Sequence, residues 1–268
     1  MSKPIEKCGI SGSKNLVTVL DLGRQSLTGV FPNNKNEKIS SDPLELVWCP
    51  DSGLLQLKHS SSLDEMYGDN YGYRSGLNSS MVEHLENKVR FLTEFVSLAS
   101  GDLVLDIGSN DGTLLNSYHS DEILRVGMDP TAKRFSEYYQ KDITIIPHFF
   151  SAQEYRNNYP DQQVKIVTSI SMFYDLEDPR SFVEGIYEIL DDDGIWHFEQ
   201  SYMPSMLRMN SYDTVCHEHL EYYSLSPVKK LLEECGFKLL DVVMNGVNGG
   251  SFAVTASKKK SSYTQNKT

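Results

Sequence analysis

The sequence lacks the features that mark several large classes of protein. It contains no uncharged apolar run near the roughly 18 residues that cross a bilayer, and its first residues include no apolar stretch typical of a secretory signal. Its four cysteines, at positions 8, 49, 216 and 235, are too few and too scattered for a disulfide scaffold. We therefore expect a cytoplasmic protein that does not bind membranes.

Basic residues are also scarce. The 268 residues include 25 Lys and Arg against 37 Asp and Glu, a net charge of −12. Because an acidic surface repels phosphate backbones, no nucleic-acid partner is expected. Hydrophobic residues make up 39% of the chain, which excludes a wholly disordered protein. The lysine-rich end, residues 258–268, is predicted to be a disordered tail.

The chain divides into an N-terminal part rich in short strands and a longer part in which strands and helices alternate. Residues 1–65 predict a small β-rich N-terminal lobe, because short β-like runs are separated there by turn-rich stretches. Residues 66–100 comprise a bridge rich in tyrosine and glycine and then a helix, which is predicted over about 81–98. Residues 101–257 predict a doubly wound α/β domain.

The α/β domain contains seven predicted strands. The first five alternate with helices and predict a mostly parallel sheet, and the last two are joined by a glycine-rich turn and predict an antiparallel hairpin. They are Leu103–Ile107, Ile123–Met128, Ile143–Ile146, Val164–Ile170, Gly194–Glu199, Phe237–Met244 and Ser251–Ser257. Ligands of such sheets bind at the carboxyl ends of the strands, where we expect the functional site.

A glycine-rich turn follows the first of these strands and predicts a cofactor site, whose candidate residues are Asp106, Gly108, Ser109, Asn110 and Gly112. A dinucleotide fingerprint requires glycine where this turn has asparagine, and the neighbouring aspartates would repel a pyrophosphate. The same carboxylates suit the ammonium and sulfonium of S-adenosylmethionine. A nicotinamide oxidoreductase remains as a weaker alternative.

Further candidates lie at the ends of the later strands. Asp129 follows the second strand and can accept hydrogen bonds from ribose hydroxyls, and Pro130 occupies the first position of a predicted helix. Met172 and Phe173 follow the fourth strand, where methyl donor and acceptor would meet, although both could equally be core. Glu199 ends the fifth strand and is a candidate lining residue of the substrate pocket.

Several segments together resemble a known family. They read VLDIGSNDGTLL, GMDP, IVTSISMFYDLEDP, YDTVCHEHLEYYSL and CGISGSKNLVTVLDLG with WCPDSGLLQL. The chain resembles the class I S-adenosylmethionine-dependent methyltransferases, in the sugar C-methyltransferase branch that carries an N-terminal zinc-binding lobe. The resemblance implies S-adenosylmethionine as cofactor and a nucleotide-linked keto-sugar, a small molecule, as the substrate that is methylated on carbon.

The segment Cys216-His217-Glu218-His219 is the densest cluster of catalytic residue types. Methylation of carbon needs a base that removes the proton beside a carbonyl, and histidine titrates in the right range. The resemblance places this base at His219, with Glu218 beside it. A pair of purely structural histidines is the alternative. The resemblance also implies that the ligand contacts include Tyr71, Tyr73 and Ser75, and the tyrosine-rich stretch adds Tyr222 as a substrate-pocket candidate.

Two departures from the family pattern qualify these expectations. The two Cys-x-x-Cys pairs of the zinc lobe read Cys8-x-x-Ser11 and Cys49-x-x-Ser52, and serine is a poor zinc ligand, so we expect no metal. The C-terminal domain with which the family usually helps to hold the sugar nucleotide is not part of this sequence. The alternative function is therefore a donor-binding remnant or subunit that is inactive alone. The oligomeric state is not predicted.

Overall fold

The computed structural model describes residues 2–28, 32, 34–61 and 72–265. In the N-terminal part of the described chain the strands are short and antiparallel, because turn residues interrupt each apolar run. They are β1 (Lys3–Pro4), β2 (Val17–Ser26), β3 (Ser41–Cys49), β4 (Leu54–Leu57) and β5 (His59–Ser60). Strand β1 pairs with β5, and β2, β3 and β4 form one sheet in sequence order.

The central sheet has seven strands within the described residues. They are β6 (Leu103–Ile107), β7 (Leu124–Met128), β8 (Ile143–Ile146), β9 (Val164–Ile170), β10 (Leu190–Ser201), β12 (Phe237–Asn245) and β13 (Ser251–Lys258). Their order is β12-β13-β10-β9-β6-β7-β8, and β6 to β10 run parallel, whereas β13 is antiparallel to both its neighbours. The predicted fold class is confirmed.

Strand β11 (Glu221–Tyr222) joins the two parts of the molecule. It belongs in sequence to the α/β region, yet it pairs antiparallel with β4, with Glu221 opposite Gln56 and Tyr222 opposite Leu55. The N-terminal sheet therefore runs β11-β4-β3-β2. The segment that contains the predicted base is thereby fixed to the N-terminal lobe.

The helices cover the sheet on both faces. They are α1 (Ser79–Phe95), α2 (Thr113–Asn116), α3 (Ala152–Asn158), α4 (Pro179–Ile189), α5 (Met203–Met209) and α6 (Leu225–Glu234). Helix α4 starts as the sequence predicts, because Asp178 caps it by accepting a hydrogen bond from the Ser181 amide, with Pro179 in its first turn. None of the helices in the described ranges has both the length and the apolar character that a transmembrane helix requires.

The core follows from this layering. Strand β6 is buried along its whole length, because helices pack on both of its faces. Helix α4 contributes Phe182 and Ile186 to one face of the sheet, and α1 contributes Leu85 and Leu92 to the other. The carboxyl ends of the parallel strands carry the site described below.

Two local expectations are not met. The helix predicted to start at Pro130 is absent, because the Asp129 carboxylate accepts hydrogen bonds from the Thr131 amide and hydroxyl and closes a turn there. Residues 258–265, predicted as part of a disordered tail, pack against the domain instead. Lys258 ends β13 and its Nζ donates to the Leu190 carbonyl at 2.6 Å, and Tyr263 stacks on Phe95.

Candidate functional site

A cavity of about 300 Å³ lies at the carboxyl ends of β6, β7 and β9, beside the point where the strand order reverses. The residues that line it come from each of these strand ends and from the segment before α1. Among the predicted site residues these are Tyr73, Ser75, Asp106, Gly108, Ser109, Asn110, Asp129, Pro130 and Met172. The structure therefore brings together most of the residues that the sequence assigns to cofactor binding.

Asp106, the penultimate residue of β6, is the most unusual charge in this cavity. Its side chain is only 4% exposed, and its Oδ1 accepts a hydrogen bond from the Thr168 hydroxyl of β9 at 2.6 Å. Burial raises its pKa to about 7, and the neighbouring Asp129 adds to this rise while the Thr168 hydrogen bond opposes it. The carboxyl is thus partly protonated near neutral pH, and a cation bound beside it would favour its ionised form.

The turn after β6 requires glycine for two different reasons. Gly108 and Gly112 both have positive φ, +74° and +76°, which side chains other than glycine adopt with strain. A Cβ on Gly108 would lie 2.9 Å from Met172 Cγ, and a Cβ on Gly112 would lie 2.7 Å from the Tyr139 ring. The backbone therefore approaches the end of β9 closely at Gly108, and it packs against the Tyr139 ring at Gly112.

Asp129, which directly follows β7, forms hydrogen bonds that hold the glycine turn in place. Its Oδ2 accepts from the Asn110 amide at 2.9 Å, and its Oδ1 accepts from the Thr131 amide and hydroxyl, both at 2.6 Å. A carboxylate has about four acceptor positions, so the two oxygens retain capacity for a ligand. Asp129 can therefore both organise the turn and accept hydroxyl groups in the cavity.

The segment before α1 closes over the turn. The Asn110 side chain accepts from the Ser75 amide at 3.0 Å and donates to the Tyr73 carbonyl at 3.1 Å, and the Gly76 amide donates to Asp111 Oδ2 at 3.0 Å. The Asn110 side chain thus binds this segment, and the backbone of Asn110 is left to line the cavity. Tyr71, predicted as a further contact, lies outside the described residues.

Ser109 has a comparable supporting position. Its hydroxyl lies 2.8 Å from the Tyr139 hydroxyl, which in turn donates to the Asn110 carbonyl at 2.8 Å. Both hydroxyl groups are buried, so this short chain of hydrogen bonds fixes the outer side of the turn. Ser109 lines the cavity with a side chain that already has a partner.

Besides Gly112, Glu218 and His219, three predicted site residues of the described chain do not line the cavity. Phe173 is fully buried and stacks on Tyr223, with ring centroids 5.2 Å apart, so it belongs to the core. Glu199 is 1% exposed and is held by His84, Lys88 and Asn245 at 2.6 to 2.7 Å. Burial alone would raise the pKa of Glu199, but His84 and Lys88 outweigh it and hold the pKa at about 2. This carboxylate has no capacity exposed to a substrate.

Tyr222 is the third. It is 3% exposed, its hydroxyl donates to the Thr214 carbonyl at 3.3 Å, and it accepts from the Cys216 amide at 3.3 Å. The hydroxyl is therefore occupied by backbone groups of residues 214 and 216, both of which precede the predicted base. Its position corrects the expectation of a substrate contact and assigns Tyr222 to the support of the segment 214–219.

His219 is held in one defined tautomer. Its Nδ1 lies 2.9 Å from the Thr214 carbonyl, and because a carbonyl only accepts, Nδ1 carries the hydrogen. Nε2 is then the unprotonated nitrogen of the neutral ring and can accept a proton. The ring contacts Tyr174 edge-on at 4.5 Å, and Tyr174 belongs to the short 3₁₀ turn Phe173–Asp175 that directly follows the cavity-lining Met172. His219 thus stands behind the wall of the cavity.

The other two members of the motif differ from His219. Burial raises the pKa of Glu218, while the neighbouring histidines oppose this rise. His217 is 1% exposed, its Nε2 lies 3.2 Å from the Asp42 carbonyl of the N-terminal lobe, and its amide donates to the Thr28 hydroxyl. His217 therefore fastens the segment to the lobe.

The four positions that correspond to zinc ligands meet in the lobe. Cys8 Sγ lies 3.2 Å from the Ser52 hydroxyl, and Cys49 Sγ lies 3.6 Å from the Ser11 hydroxyl. Structural zinc sites use four cysteine or histidine ligands, and hydroxyls that hydrogen-bond to thiols do not replace them. No group of three or more His, Cys, Asp or Glu residues in the described chain could hold a metal. The side chains present do not fit zinc.

Sequence reasoning missed the apolar wall of the cavity. Phe149 and Phe150 follow β8 and line the cavity together with Leu85 of α1. The phenylalanines could have been found, because they follow a predicted parallel strand and so lie at the same edge of the sheet. Leu85 could not, since nothing local indicates which turn of a helix reaches a site.

Comparison with known proteins adds two family matches and several relatives. A family model described as "Methyltransferase domain" matches residues 81–242, and one described as "Putative zinc binding domain" matches residues 8–67. The curated protein C-methyltransferase NovU of Streptomyces niveus is 28% identical over 258 residues, which cover 95% of this chain and 61% of NovU. This chain therefore spans less than two thirds of that relative.

Solved structures share the fold at low identity. Magnesium protoporphyrin IX methyltransferase (ChlM) from Synechocystis PCC 6803 with bound SAH has a TM-score of 0.51 at 16% identity, covering 72% of this chain and 91% of that one. The plantazolicin methyltransferase BpumL in complex with a pentazolic desmethylPZN analog and SAH has a TM-score of 0.50 at 14% identity, covering 66% and 84%. These similarities concern the architecture of the α/β domain.

Proposed function

The chain belongs to the family of S-adenosylmethionine-dependent methyltransferases, and from this premise we propose that it methylates a carbon atom of a nucleotide-linked keto-sugar. NovU, the curated relative named above, is a C-methyltransferase, which supports carbon as the methylated atom. The histidine-containing segment supports a reaction that begins with proton removal. The sugar as substrate class rests on the sequence resemblance.

The observation that carries the proposal is the pair of buried carboxyls that face one cavity. Asp106 and Asp129 lie close enough for the charge of Asp129 to raise the pKa of Asp106. A cationic ligand beside Asp106 would relieve this repulsion, whereas a phosphate would increase it. S-adenosylmethionine supplies an electrophilic methyl group on a sulfonium and carries an ammonium, so its charge matches the cavity.

The residues of the cavity divide the binding between them. We expect Asp106 to hold the ammonium and Asp129 to accept the ribose hydroxyls, with Gly108 and Pro130 beside the ligand. Gly112 supports the turn instead, because a Cβ there would meet the Tyr139 ring. The apolar wall around Phe149 and Met172 excludes water from the transferred methyl group. Tyr73 and Ser75, from the segment before α1, line the cavity and are further candidates for contact with a ligand.

The chemistry assigned to this chain's own residues is proton removal. Nε2 of His219 takes the proton from the carbon beside the sugar carbonyl, and the C–H electron pair forms the enolate. S-adenosylmethionine, when bound, would supply the methyl group that this carbon takes up, and S-adenosylhomocysteine would leave with the electron pair of the broken C–S bond. The hydrogen bond from Nδ1 to Thr214 keeps Nε2 free for this step and stabilises the ring once it is protonated. Glu218, beside His219, favours that protonated ring electrostatically.

Two measurements test the proposal. Incubation with S-adenosylmethionine and a panel of nucleotide-linked 4-keto-sugars should give a product heavier by one methyl group, detected by mass spectrometry. Calorimetry should show binding of S-adenosylhomocysteine and no binding of NAD. Tight binding of NAD without binding of S-adenosylhomocysteine would refute the assignment.

One observation favours a second candidate. Because the chain spans 61% of NovU, the sugar site could require residues outside this sequence. The protein would then bind the donor but transfer no methyl group alone. Donor binding without turnover, restored when a polypeptide corresponding to the rest of NovU is added, would favour this candidate.

A further inference from the structure

A second cleft, of about 810 Å³, lies where the N-terminal lobe meets the α/β domain. Its floor is formed by the loop around Gly9, by β4 and by β11, and its far side by the start of α4. Leu176 and Glu177 line both this cleft and the donor cavity. The two spaces therefore share Leu176 and Glu177 as a wall, directly after the 3₁₀ turn that contacts His219.

Two buried polar side chains face each other in this cleft without satisfying each other. Gln56 of β4 and Glu221 of β11 are directly opposite in an antiparallel pair, so their side chains project on the same face of the sheet. They are 1% and 6% exposed, and both line the cleft. Within the described residues, neither Gln56 Nε2 nor Glu221 Oε2 has a hydrogen-bond partner.

Two such unpaired polar groups lower the stability of the folded protein unless a further group, such as a ligand, forms hydrogen bonds with them. Buried polar groups are nearly always hydrogen-bonded, and each unsatisfied one costs about 1–3 kcal/mol. Gln56 is already oriented, because its Oε1 accepts from the Gly9 amide at 3.1 Å, which directs the amide nitrogen away from that loop. Gly9 leaves the space open, since a Cβ there would lie 3.0 Å from Glu221 Oε1.

We propose that Gln56 and Glu221 form the acceptor subsite of this enzyme, which binds an uncharged ring that presents a hydrogen-bond donor and acceptor side by side. The proposal rests on the function proposed above and names the residues that would hold the acceptor. Vicinal hydroxyls of a sugar and the imide edge of a pyrimidine base both have this chemistry.

The electrostatics of the cleft favour an uncharged group. Burial raises the pKa of Glu221 well above its usual range, which favours the protonated carboxyl, a group that donates as well as accepts. Apart from Glu221, acidic and basic side chains are equal in number along the cleft, so it does not select for a bare anion. A donor amide beside a carboxyl that donates and accepts matches a neutral ring.

The position of the pair also connects it to the reaction. Leu220, between His219 and Glu221, lines the cleft, and the shared wall at Leu176 and Glu177 leads to the donor cavity. A ligand held by Gln56 and Glu221 would therefore lie along the segment that carries the base. The lobe would contribute binding of the acceptor even though its cysteine and serine side chains do not fit zinc.

The test separates binding from stability. Protein saturated with S-adenosylhomocysteine is titrated calorimetrically with dTDP-glucose, a nucleotide-linked sugar that lacks the reactive ketone. Glu221→Met and Gln56→Met should each weaken binding roughly tenfold, the equivalent of one lost hydrogen bond of about 1.4 kcal/mol. Glu221→Gln should bind within a few-fold of the wild type, because an amide also donates and accepts. Gln153→Met, at an exposed position on α3, is the matched control.

Stability provides the second readout. Because Glu221 Oε2 has no partner to lose, Glu221→Met should melt at or above the wild-type temperature, whereas loss of a structural contact would lower it. Binding of dTDP but not of methyl glucoside would assign the pair to the base, and the reverse would assign it to the sugar.

Several outcomes overturn the inference without touching the donor assignment. They are an absence of dTDP-glucose binding to the wild type, unchanged binding by both Met variants, or a marked loss of stability in Glu221→Met. Failure of the proposed function is distinguishable, because it would appear as loss of S-adenosylhomocysteine binding or of methyl transfer in the wild-type protein.

Discussion

At the scale of single residues, the burial of Asp106 favours the binding of a cationic ligand and lowers the folding stability of the ligand-free protein. The same burial that raises its pKa to about 7 makes its charged form expensive in the empty protein. A bound cation would supply the missing counter-charge. Two measurable consequences follow, one for ligand affinity and one for folding.

The affinity for S-adenosylmethionine should rise with pH between about 6 and 8. Below its pKa of about 7 Asp106 is mostly protonated, and a cationic ligand binds the ionised form, so affinity falls as pH falls. Calorimetry across this range should show the slope, with a plateau at the alkaline end. Asp106→Asn should bind more weakly and with a flat profile; an equally steep profile in that variant would assign the titration to another group.

Asp106→Asn should also stabilise the empty protein at pH 8. A carboxyl whose pKa is raised from 3.8 to about 7 on folding loses stability as pH rises through this window. Removing the charge should therefore recover roughly 1–4 kcal/mol, and Asn can still accept from Thr168. Thermal unfolding at pH 8 and pH 5 measures this, and the gain should shrink at pH 5. The exposed Asp161→Asn is the control.

His219→Ala should abolish methyl transfer and the exchange of deuterium beside the sugar carbonyl. Donor affinity should stay within about twofold of the wild type, because His219 does not line the donor cavity. The solvent-exposed His148→Ala serves as the control. Substantial residual exchange in His219→Ala would place the base elsewhere.

At the scale of elements, the segments before α1 and before β11 are each fixed by hydrogen bonds from residues outside the segment. The segment around Tyr73 is fixed by Asn110 of the glycine turn, and the segment 214–219 by Tyr222 of β11. Both segments border the site. Loosening the segment around Tyr73 should therefore change donor binding, and loosening the segment 214–219 should change catalysis.

Asn110→Asp should loosen the segment over the donor cavity. Aspartate tolerates the positive φ of 51° at this position, but it cannot donate to the Tyr73 carbonyl and places a negative charge beside it. We expect roughly five- to tenfold weaker S-adenosylmethionine binding and faster amide exchange at residues 73–76. Asn158→Asp, which loses a similar side-chain-to-carbonyl bond on α3, should change neither.

Tyr222→Phe should lower the turnover rate and leave donor affinity unchanged. The variant removes one of the two hydrogen bonds that fix the Thr214 carbonyl, the group that selects the tautomer of His219. A several-fold lower kcat with a displaced acidic limb of the pH profile is expected. A fall in unfolding temperature with normal kcat would indicate a purely structural role.

At the scale of the whole molecule, the N-terminal lobe is held to the α/β domain through β11 and the contacts of His217. The purified protein should contain well under one zinc per chain after dialysis against chelator, and chelator should not lower its unfolding temperature. The double variant Ser11→Cys with Ser52→Cys should bind about one zinc per chain, since it restores four thiolates. One chelator-resistant zinc in the wild type would contradict the first expectation.

Features that are local along the chain could be predicted from the residues alone. Apolar runs separated by turns predicted the strands of the central sheet, and Asp178 with Pro179 predicted the start of α4. The acidic glycine turn and Asp129 at the next strand end predicted a cavity for a cation, because the carboxyl ends of parallel strands meet at one edge. The serines at positions 11 and 52 predicted that zinc ligands are missing.

Which side chains are free to act depends on contacts that form only in the folded chain. Glu199 looks like a pocket residue in the sequence, but partners remote in the chain occupy it. Tyr222 looks like one too, but the backbone of the segment before it occupies its hydroxyl. The same holds for Gln56 and Glu221, which are 165 positions apart and become neighbours only when β11 joins the N-terminal sheet. Strand pairing and side-chain packing join residues that are far apart in the sequence. The sequence therefore shows which polar groups are present, and the folded structure determines which of them remain unpaired.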